Sequence, residues 1–495
     1  MTHHLVPPLD LVHERQAEIR RQVARTGDRR AAAFERRPRR KARRLAGLLT
    51  LSVVLASLVE AAAAAPGGPD PTFGPGGHVI VDDGATDGAF ALAVQPDGKI
   101  VVAGYTDKAG SVDTLVFRLN PDGSEDLGFG RQRLAVPGGR SDFPSAVTLQ
   151  PDGKIVIAGR TETNEDGTLW RLLPSGAPDP TFGGGDGLVT VDNGGRDYLS
   201  DVAVAPNGAI VTVGQSATVN NALAAVFRLT PAGEPDKTFD NDGKLGMGGS
   251  YSRAEGVAVQ PDGKIVVSGY FGDISTHGLQ VRRLRVDGET DYPFGEGDGE
   301  ASAYGVQGVG DDVLVQADGR IVVVGSAFLP SGRQVGGAVR YTASGRVDTT
   351  FTDSGDRDGP LVDTPGAGTA FVAVAALPDG GYVVSGYRRP TELVTSAVAF
   401  RIGPDGAVDP AFGTGGRVDL AGGRIAYDVA VQADGKVVVA GVGDQNRDAL
   451  VHRLLTATDP APTTMPTCQG RPATLVGTDG KDQLVGGPDR DVVKQ

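Results

Sequence analysis

Arginine, aspartate and phenylalanine recur at fixed intervals along this chain, and they are the first residues to examine for chemistry. Arg118, Arg171, Arg228, Arg283, Arg340 and Arg401 each stand eight residues before an aspartate and eleven before a phenylalanine. The aspartates are Asp126, Asp179, Asp236, Asp291, Asp348 and Asp409, and the phenylalanines are Phe129, Phe182, Phe239, Phe294, Phe351 and Phe412. Asp70 and Phe73 open the series without an arginine, and Arg453 ends it without the other two. A guanidinium and a carboxylate recurring in this way could form a ring of ligands. Catalysis needs one differentiated site, however, so the expected role is a bidentate, partly buried Arg–Asp bridge that fixes one turn per repeat. The phenylalanine is then a core residue rather than a stacking platform. Other catalytic signals are sparse. After Ala65 only His78, His277 and His452 remain, none at a metal-ligand spacing, and no Gly-x-Ser-x-Gly elbow or phosphate loop appears. Acidic turns such as Asp240-Asn241-Asp242-Gly243 carry oxygen ligands but lack the rest of a calcium loop and its closing glutamate, so they read as solvated turns.

The elements that must position these residues repeat with them. Asp97, Asp152, Asn207, Asp262, Asp318, Asp379 and Asp434 each begin an Asp-Gly or Asn-Gly turn. An apolar run follows each and ends seven residues on, in Gly104, Gly159, Gly214, Gly269, Gly325, Gly386 and Gly441. The first period, about 55 residues long, holds four strand signals: 90–94, 99–103, 114–119 and 133–136. Pro96-Asp97-Gly98 joins the first two as a hairpin. Four antiparallel strands per repeat and seven repeats predict an all-β, seven-bladed β-propeller. The series opens with a lone last-type strand at 78–81 and finishes with a copy of three strands ending at Leu455. One plus three makes a blade, so the segment near Val79 is expected to pair with the strand holding Arg453, latching the ring and removing exposed sheet edges. An open solenoid would leave both ends bare. The glycine after the second strand should mark a turn or a close backbone approach.

Three motifs recur in fixed order. They are Gln95-Pro96-Asp97-Gly98-Lys99-Ile100-Val101-Val102-Ala103-Gly104, then Phe117-Arg118-Leu119-Asn120-Pro121-Asp122-Gly123, with Asp70-Pro71-Thr72-Phe73-Gly74 opening the first copy. Over residues 70–455 the chain resembles the delta-60 repeat. That resemblance implies a propeller in an exported bacterial protein, and it implies no established reaction.

Because strand direction alternates, the turns joining strands one to two and three to four share one face, and the other two loops share the opposite face. The first pair is constant in length. The second varies, with turn Asp (or Asn207) to Arg intervals of 21, 19, 21, 21, 22, 22 and 19. Binding residues concentrate on variable loops held by a rigid scaffold, which places a ligand site on this second face, over the central channel. Its candidates are Arg140, Arg196, Arg253 and Arg424, with Tyr198, Tyr251, Tyr270, Tyr387 and Tyr427. Arginine and tyrosine together suit an anionic or carbohydrate-like ligand. The blander reading is that Gly138-Gly139-Arg140, Gly194-Gly195-Arg196 and Gly422-Gly423-Arg424 are one recurring loop solution.

The composition agrees with short strands and tight turns: 74 glycines in 495 residues, and 5% aromatic. Residues 1–44 hold 13 Lys/Arg against 5 Asp/Glu, whereas the chain from Pro66 holds 35 against 55, or −20. A polyanion would meet net repulsion, which argues against nucleic acid as a partner. The basic cluster 36–44, the apolar stretch 45–59 and the alanines 61–65 follow the order of a secretory signal. The stretch is also close to the length of a membrane-spanning anchor, so either a cleaved signal or a retained anchor is expected, the second being the only membrane link. The leader is long enough that the natural start could lie downstream of Met1. Cys468 is the only cysteine, so no internal disulfide stabilises the fold.

The chain therefore reads as a leader (1–65), a propeller (66–455), a Pro/Thr-rich linker (456–467) and a tail (468–495). In the tail, residues 477–485 and 486–493 resemble two RTX-type calcium-binding nonapeptides. The resemblance assigns metal ligation to Asp482 and Asp491, although Thr478 and Asp489 stand where glycines are expected. Calcium is the one cofactor this suggests, and two repeats are few to fold a calcium-bound roll. The functional expectation is an exported, monomeric, non-enzymatic propeller, secreted or held at the cell surface, that binds an extracellular protein or glycan. The alternatives are a propeller lyase or hydrolase acting on an extracellular polymer, and a plain envelope spacer.

Overall fold

The computed structural model describes residues 65–456, except 85, 109, 139–140, 163–164, 219–220, 250–251, 273–277, 304–306, 329–333, 352–360, 363–367, 392–393 and 444–447, together with four two-residue strands beyond residue 466. The leader, Arg140, Tyr251, Asp482 and Asp491 lie outside the described residues. Among those described, no helix is long and apolar enough to cross a membrane.

The chain forms a seven-bladed β-propeller of four-stranded antiparallel sheets. Blade 1 comprises Thr86–Val94, Ile100–Lys108, Ser111–Leu119 and Gln132–Leu134; blade 2 comprises Asp142–Leu149, Ile155–Thr161, Gly167–Leu172 and Leu188–Val191. Blade 3 comprises Arg196–Val204, Ile210–Thr218, Asn221–Leu229 and Lys244–Met247; blade 4 comprises Arg253–Val259, Ile265–Tyr270, Gln280–Leu284 and Glu300–Ala301. Blade 5 comprises Gln307–Val315, Ile321–Phe328, Gln334–Tyr341 and Leu361–Val362, and blade 6 comprises Gly368–Ala376, Tyr382–Thr391, Val394–Ile402 and Arg417–Asp419. Blade 7 takes its first three strands, Gly423–Val431, Val437–Gly443 and Ala449–Leu454, from the end of the repeat region. Its outer strand, His78–Val81, comes from the beginning, with His78 opposite His452 and Val79 opposite Val451. The first strands of successive blades touch one another and so surround the axis. Apolar side chains of adjacent sheets interleave between blades, as where Val211, Val226 and Phe239 of blade 3 meet Ala254, Val257 and Val267 of blade 4.

Every inner strand carries a β-bulge at the same register, skipping Phe90, Ser145, Ser200, Glu255, Asp311, Val372 and Tyr427 in turn. A bulge leaves one residue unpaired and turns the strand. Here it also drives a carbonyl over the conserved glycine of the second strand. A Cβ on Gly104 would lie 1.9 Å from the Gly88 oxygen, and one on Gly214 1.8 Å from the Tyr198 oxygen, with the same approach at the other five glycines. The sequence left open a turn or a close backbone contact at this position, and the contact is what the fold uses.

The recurring arginine is a hub. In blade 2, Arg171 Nε donates to Asp179 Oδ2 at 2.7 Å, its Nη2 donates to Thr181 Oγ1 at 3.0 Å, and its Nη1 donates to the carbonyl of Pro231 in the next blade. The guanidinium lies 4.4 Å from the centre of the Phe182 ring. The expected Arg–Asp bridge is present in all seven blades. It does more than fix a turn, because the Nη1 donation ties each blade to its successor at the acceptors Pro174, Pro231, Val286, Ala343, Pro404 and Pro121. The phenylalanine is buried, as expected of a core residue, and in six blades it also serves as the platform under the cation. Arg401 is the exception. Its Nη1 has no hydrogen-bond partner among the described residues, because the third-to-fourth turn that would offer the carbonyl in blade 7 is split between the two ends of the repeat region. Residues 66–68 occupy part of that gap, with Pro66 accepting from Gly413 N and Gly67 N donating to the Leu455 carbonyl.

Turn lysines reach the same aspartates, Lys99 to Asp126 at 2.9 Å, Lys264 to Asp291 at 3.3 Å and Lys436 to Asp70 at 3.3 Å. The one-to-two and three-to-four turns therefore share a face. Lys99, working with Arg118 against partial burial, holds the Asp126 carboxyl down to about 2.

The junction of the two ends contains a histidine pair that spacing alone could not reveal. His78 and His452 face each other across the ladder with ring centres 5.3 Å apart. Burial, aided by the neighbouring His78, pushes the His452 imidazole down to about 4. The folded pKa lies below the unfolded value near 6.5. The stability that depends on a neutral His452 is therefore complete above pH 6.5, lost as pH falls from 6.5 towards 4, and unchanged below that. Urea midpoints of the wild type and His452→Gln, measured from pH 7 to pH 4, should converge or cross by up to about 3 kcal/mol. Parallel curves would contradict this burial-driven shift.

Candidate functional site

Around the axis, on the face opposite the hub turns, three positions per blade form a continuous wall. They are the inner-strand residue two before the bulge, the bulge residue, and the second-strand residue after the conserved glycine. The first and third are register partners, as in Tyr198 and Gln215 or Arg253 and Tyr270. Interactions pass from blade to blade. Tyr427 of blade 7 meets Phe90 of blade 1 edge-on at 4.7 Å, and Tyr105 of blade 1 meets Phe143 of blade 2 at 6.3 Å. Arg160 of blade 2 lies 5.0 Å from the Phe143 ring centre and 5.1 Å from that of Tyr198 in blade 3. Arg253 of blade 4 donates to Ser200 of blade 3 at 3.4 Å and pairs with Glu255 at 3.1 Å.

The wall is chemically divided. From blade 7 to blade 3 it is aromatic, built of Tyr427, Phe90, Tyr105, Phe143 and Tyr198 with the Arg160 cation between rings. From blade 4 to blade 6 it gathers the polar groups Arg253, Glu255, Tyr270, Asp311, Ser326 and Tyr387, interspersed with the apolar Val309, Ala370 and Val372. Burial raises the Glu255 carboxyl against the opposing pull of Arg253 and Ser200. Burial and the Glu255 charge raise Asp311 well above the usual carboxylate range, and its Oδ2 accepts from Ser326 Oγ at 3.4 Å. Burial also raises Tyr270, Tyr387 and Tyr427, so these phenols remain hydrogen-bond donors at any physiological pH. The site thus offers ring faces on one side and polar groups, one of them a carboxyl biased to its protonated form, on the other.

On the same inner strands, near enough to feel one another's charge across the channel, stand three carboxylates that the repeat pattern did not flag. Asp201, Asp312 and Asp428 follow the bulge in blades 3, 5 and 7, where the other blades have alanine or glycine. Each accepts a backbone N–H from the next blade, Val257 at 2.8 Å, Val374 at 2.8 Å and Leu92 at 2.7 Å. Burial pushes them up to about 7, 6 and 8, with the charge of Asp312 adding to the shifts of the other two. They are staples between inner strands, and the last of them joins blade 7 to blade 1.

The sequence candidates separate into three groups. Arg253, Tyr198, Tyr427, Tyr270 and Tyr387 come together on the wall. Arg196, exposed at the start of the blade 3 inner strand, pairs with Glu165 at 2.5 Å and also lies beside the wall residue Tyr198. Arg424 sits half-buried at an additional bulge between Gly423 and Ile425, near enough for its charge to act on the wall residue Tyr427. Of the three Gly-Gly-Arg arginines, Arg196 stands four residues before its blade's bulge and Arg424 three, while Arg140 lies outside the described residues. Phe90, Tyr105, Phe143, Arg160, Glu255 and Asp311 were missed. For Tyr105 and Arg160 a signal was available in the frame itself: aligned on the repeated glycine, the next residue reads Tyr105, Arg160, Gln215, Tyr270, Ser326, Tyr387 and Val442, a variable position inside an otherwise constant segment.

A family model described as a domain of unknown function (DUF5122) beta-propeller matches residues 95–129, 150–182, 260–294 and 316–351. With the seven blades, this defines the chain as a β-propeller repeat protein. No curated protein matches it. Solved structures that resemble it include an inactive virginiamycin B lyase from Staphylococcus aureus with quinupristin, at 12% identity and TM-score 0.45, covering 76% of this chain and 98% of that one. Sqt1 from Chaetomium thermophilum is 12% identical with TM-score 0.43, covering 75% and 96%. A gluconolactonase from Xanthomonas campestris is 15% identical with TM-score 0.37, covering 76% and 89%. At these scores none of the likenesses bears on function.

Proposed function

We propose that this propeller is a non-enzymatic binding module of the cell exterior that takes a glycan-like ligand at the channel mouth. The observation that carries the proposal is the division of the wall. Seven copies of one frame supply equivalent positions, and those positions differ where the ring faces its own axis. Ring faces opposite hydroxyl, carboxyl and guanidinium groups suit a ligand with apolar C–H faces and many hydroxyls. The net charge of −20 after residue 65 and the carboxylates of the wall disfavour a strongly anionic polymer. Export by the leader, as cleaved signal or anchor, and calcium at Asp482 and Asp491 belong to the same proposal, as does a monomeric state.

The test is a screen of glycans and envelope proteins against the full chain. Saturable binding by the wild type, weakened about tenfold or more in Tyr198→Ala and in Glu255→Gln, is the expected outcome. Equal binding by all three proteins would refute the placement. A second reading, polymer cleavage, draws on the unequal pair Glu255 and Asp311, one held by an arginine and the other biased to the acid form, a pattern used in acid–base catalysis. Turnover of a bound polymer, lost in Asp311→Asn, would favour that reading.

A further inference from the structure

We infer that the junction of blades 2 and 3 carries a site for a hard divalent cation, held by Asp166, Asp192 and Asp197, separate from the channel wall and from the tail aspartates. Asp166 ends the loop between the second and third strands of blade 2. Asp192 and Asp197 flank the loop that enters blade 3. One carboxylate oxygen from each lies within 4.8 Å of the others. Two oxygens on opposite sides of a calcium ion, each about 2.4 Å away, stand about that far apart, so all three fit one coordination sphere.

A second observation marks the cluster as more than a solvated acidic patch. Asp197 is 0% exposed, and although its Oδ2 accepts from Asn193 N at 2.7 Å, its Oδ1 has no hydrogen-bond partner. A buried carboxylate oxygen left in this way carries its full desolvation cost. Among the described residues no lysine or arginine side chain forms an ion pair with Asp192 or Asp197. The Lys244 ammonium meets only the backbone carbonyl of Asp192, and Arg196 is taken by Glu165. Asp87 and Asp142 occupy the Asp197 register in blades 1 and 2, are as deeply buried, accept a backbone N–H on Oδ2 in the same way and have the same unpartnered Oδ1. They have acidic neighbours of their own, Asp82 and Asp448 or Asp113 and Glu162, so the gathering of three carboxylates is what distinguishes the third junction. Only the third junction gathers three ligand oxygens among the described residues. Asp192 is exposed, which leaves the remaining coordination positions to water. A bound ion would bridge two blades directly beside Tyr198.

Terbium luminescence tests this on the full-length protein after chelation. Tyr198 adjoins Asp197, and residues 456–495 contain no tryptophan or tyrosine, so emission sensitised by protein aromatics reports the propeller and not the tail. The expected result is sensitised emission displaced by calcium, with calcium affinity reduced at least about tenfold in Asp192→Asn and in Asp197→Asn, and unchanged in Asp482→Asn/Asp491→Asn. Asp192 is exposed, so its variant reports on the site even where Asp197→Asn fails to fold. Absent emission in the wild type, undiminished affinity in Asp192→Asn, or emission lost in the tail variant would each overturn the inference.

Discussion

Arg453→Ala should destabilise the propeller by about 3–5 kcal/mol, the cost of leaving one member of a buried ion pair without its partner. Arg453 and Asp70 are almost completely buried, and Nε donates to Asp70 Oδ2 at 2.8 Å across nearly the whole length of the repeat region. The same guanidinium donates to Thr72 Oγ1 at 2.9 Å and to the Pro121 carbonyl of blade 1, and lies 4.6 Å from the Phe73 ring centre. One side chain thereby joins the first residues of the repeat region, the last blade and the first blade. Arg401→Ala is the matched comparison, because Arg401 keeps ion pairs to Asp379 and Asp409 but lacks the donation to a following blade. Urea unfolding of the two variants should rank Arg453→Ala as the more damaging by at least about 1 kcal/mol. The reverse order would contradict the hub account.

Gly214→Ala should be nearly as severe. The added methyl would meet the Tyr198 carbonyl at 1.8 Å, and neither strand can yield without opening the bulge between Leu199 and Asp201. Forced overpacking of this kind costs about 3 kcal/mol. It also displaces Tyr198 from the wall and Asp201 from its bond to Val257 N. Gly249, whose Cβ position is clear of neighbours, provides the control: Gly249→Ala should leave the melting temperature close to wild type. A Gly214→Ala protein that melts with the wild type would show that the close approach does not constrain the fold.

The repeat frame was readable because each of its signals is local. Asp-Gly turns, the terminal glycine of the second strand and the Arg–Asp–Phe spacing recur with little change, and blade number followed from counting them. The inner strands run longer than their alternation suggests, as where 90–94 becomes Thr86–Val94, because the bulge interrupts the period-two pattern and disguises the pairing that continues beyond it. The site was only partly readable for the same reason. Tyr198 and Arg253 stand out by residue type on variable segments, whereas Phe90 and Glu255 are bulge residues whose common position appears only once the register is known. His78 and His452 are separated by nearly the whole propeller, and no spacing rule could join them before the outer strand of blade 7 was placed.

Hydrogen–deuterium exchange on the full chain, with and without a glycan captured in the screen, tests the proposed site most directly. Added protection should concentrate in residues 196–204 and 253–259 and at the ends of the second strands near Tyr105 and Arg160. Protection confined to the opposite face, at the turns holding Asp97, Asp152 and Asn207, would contradict binding at the channel mouth.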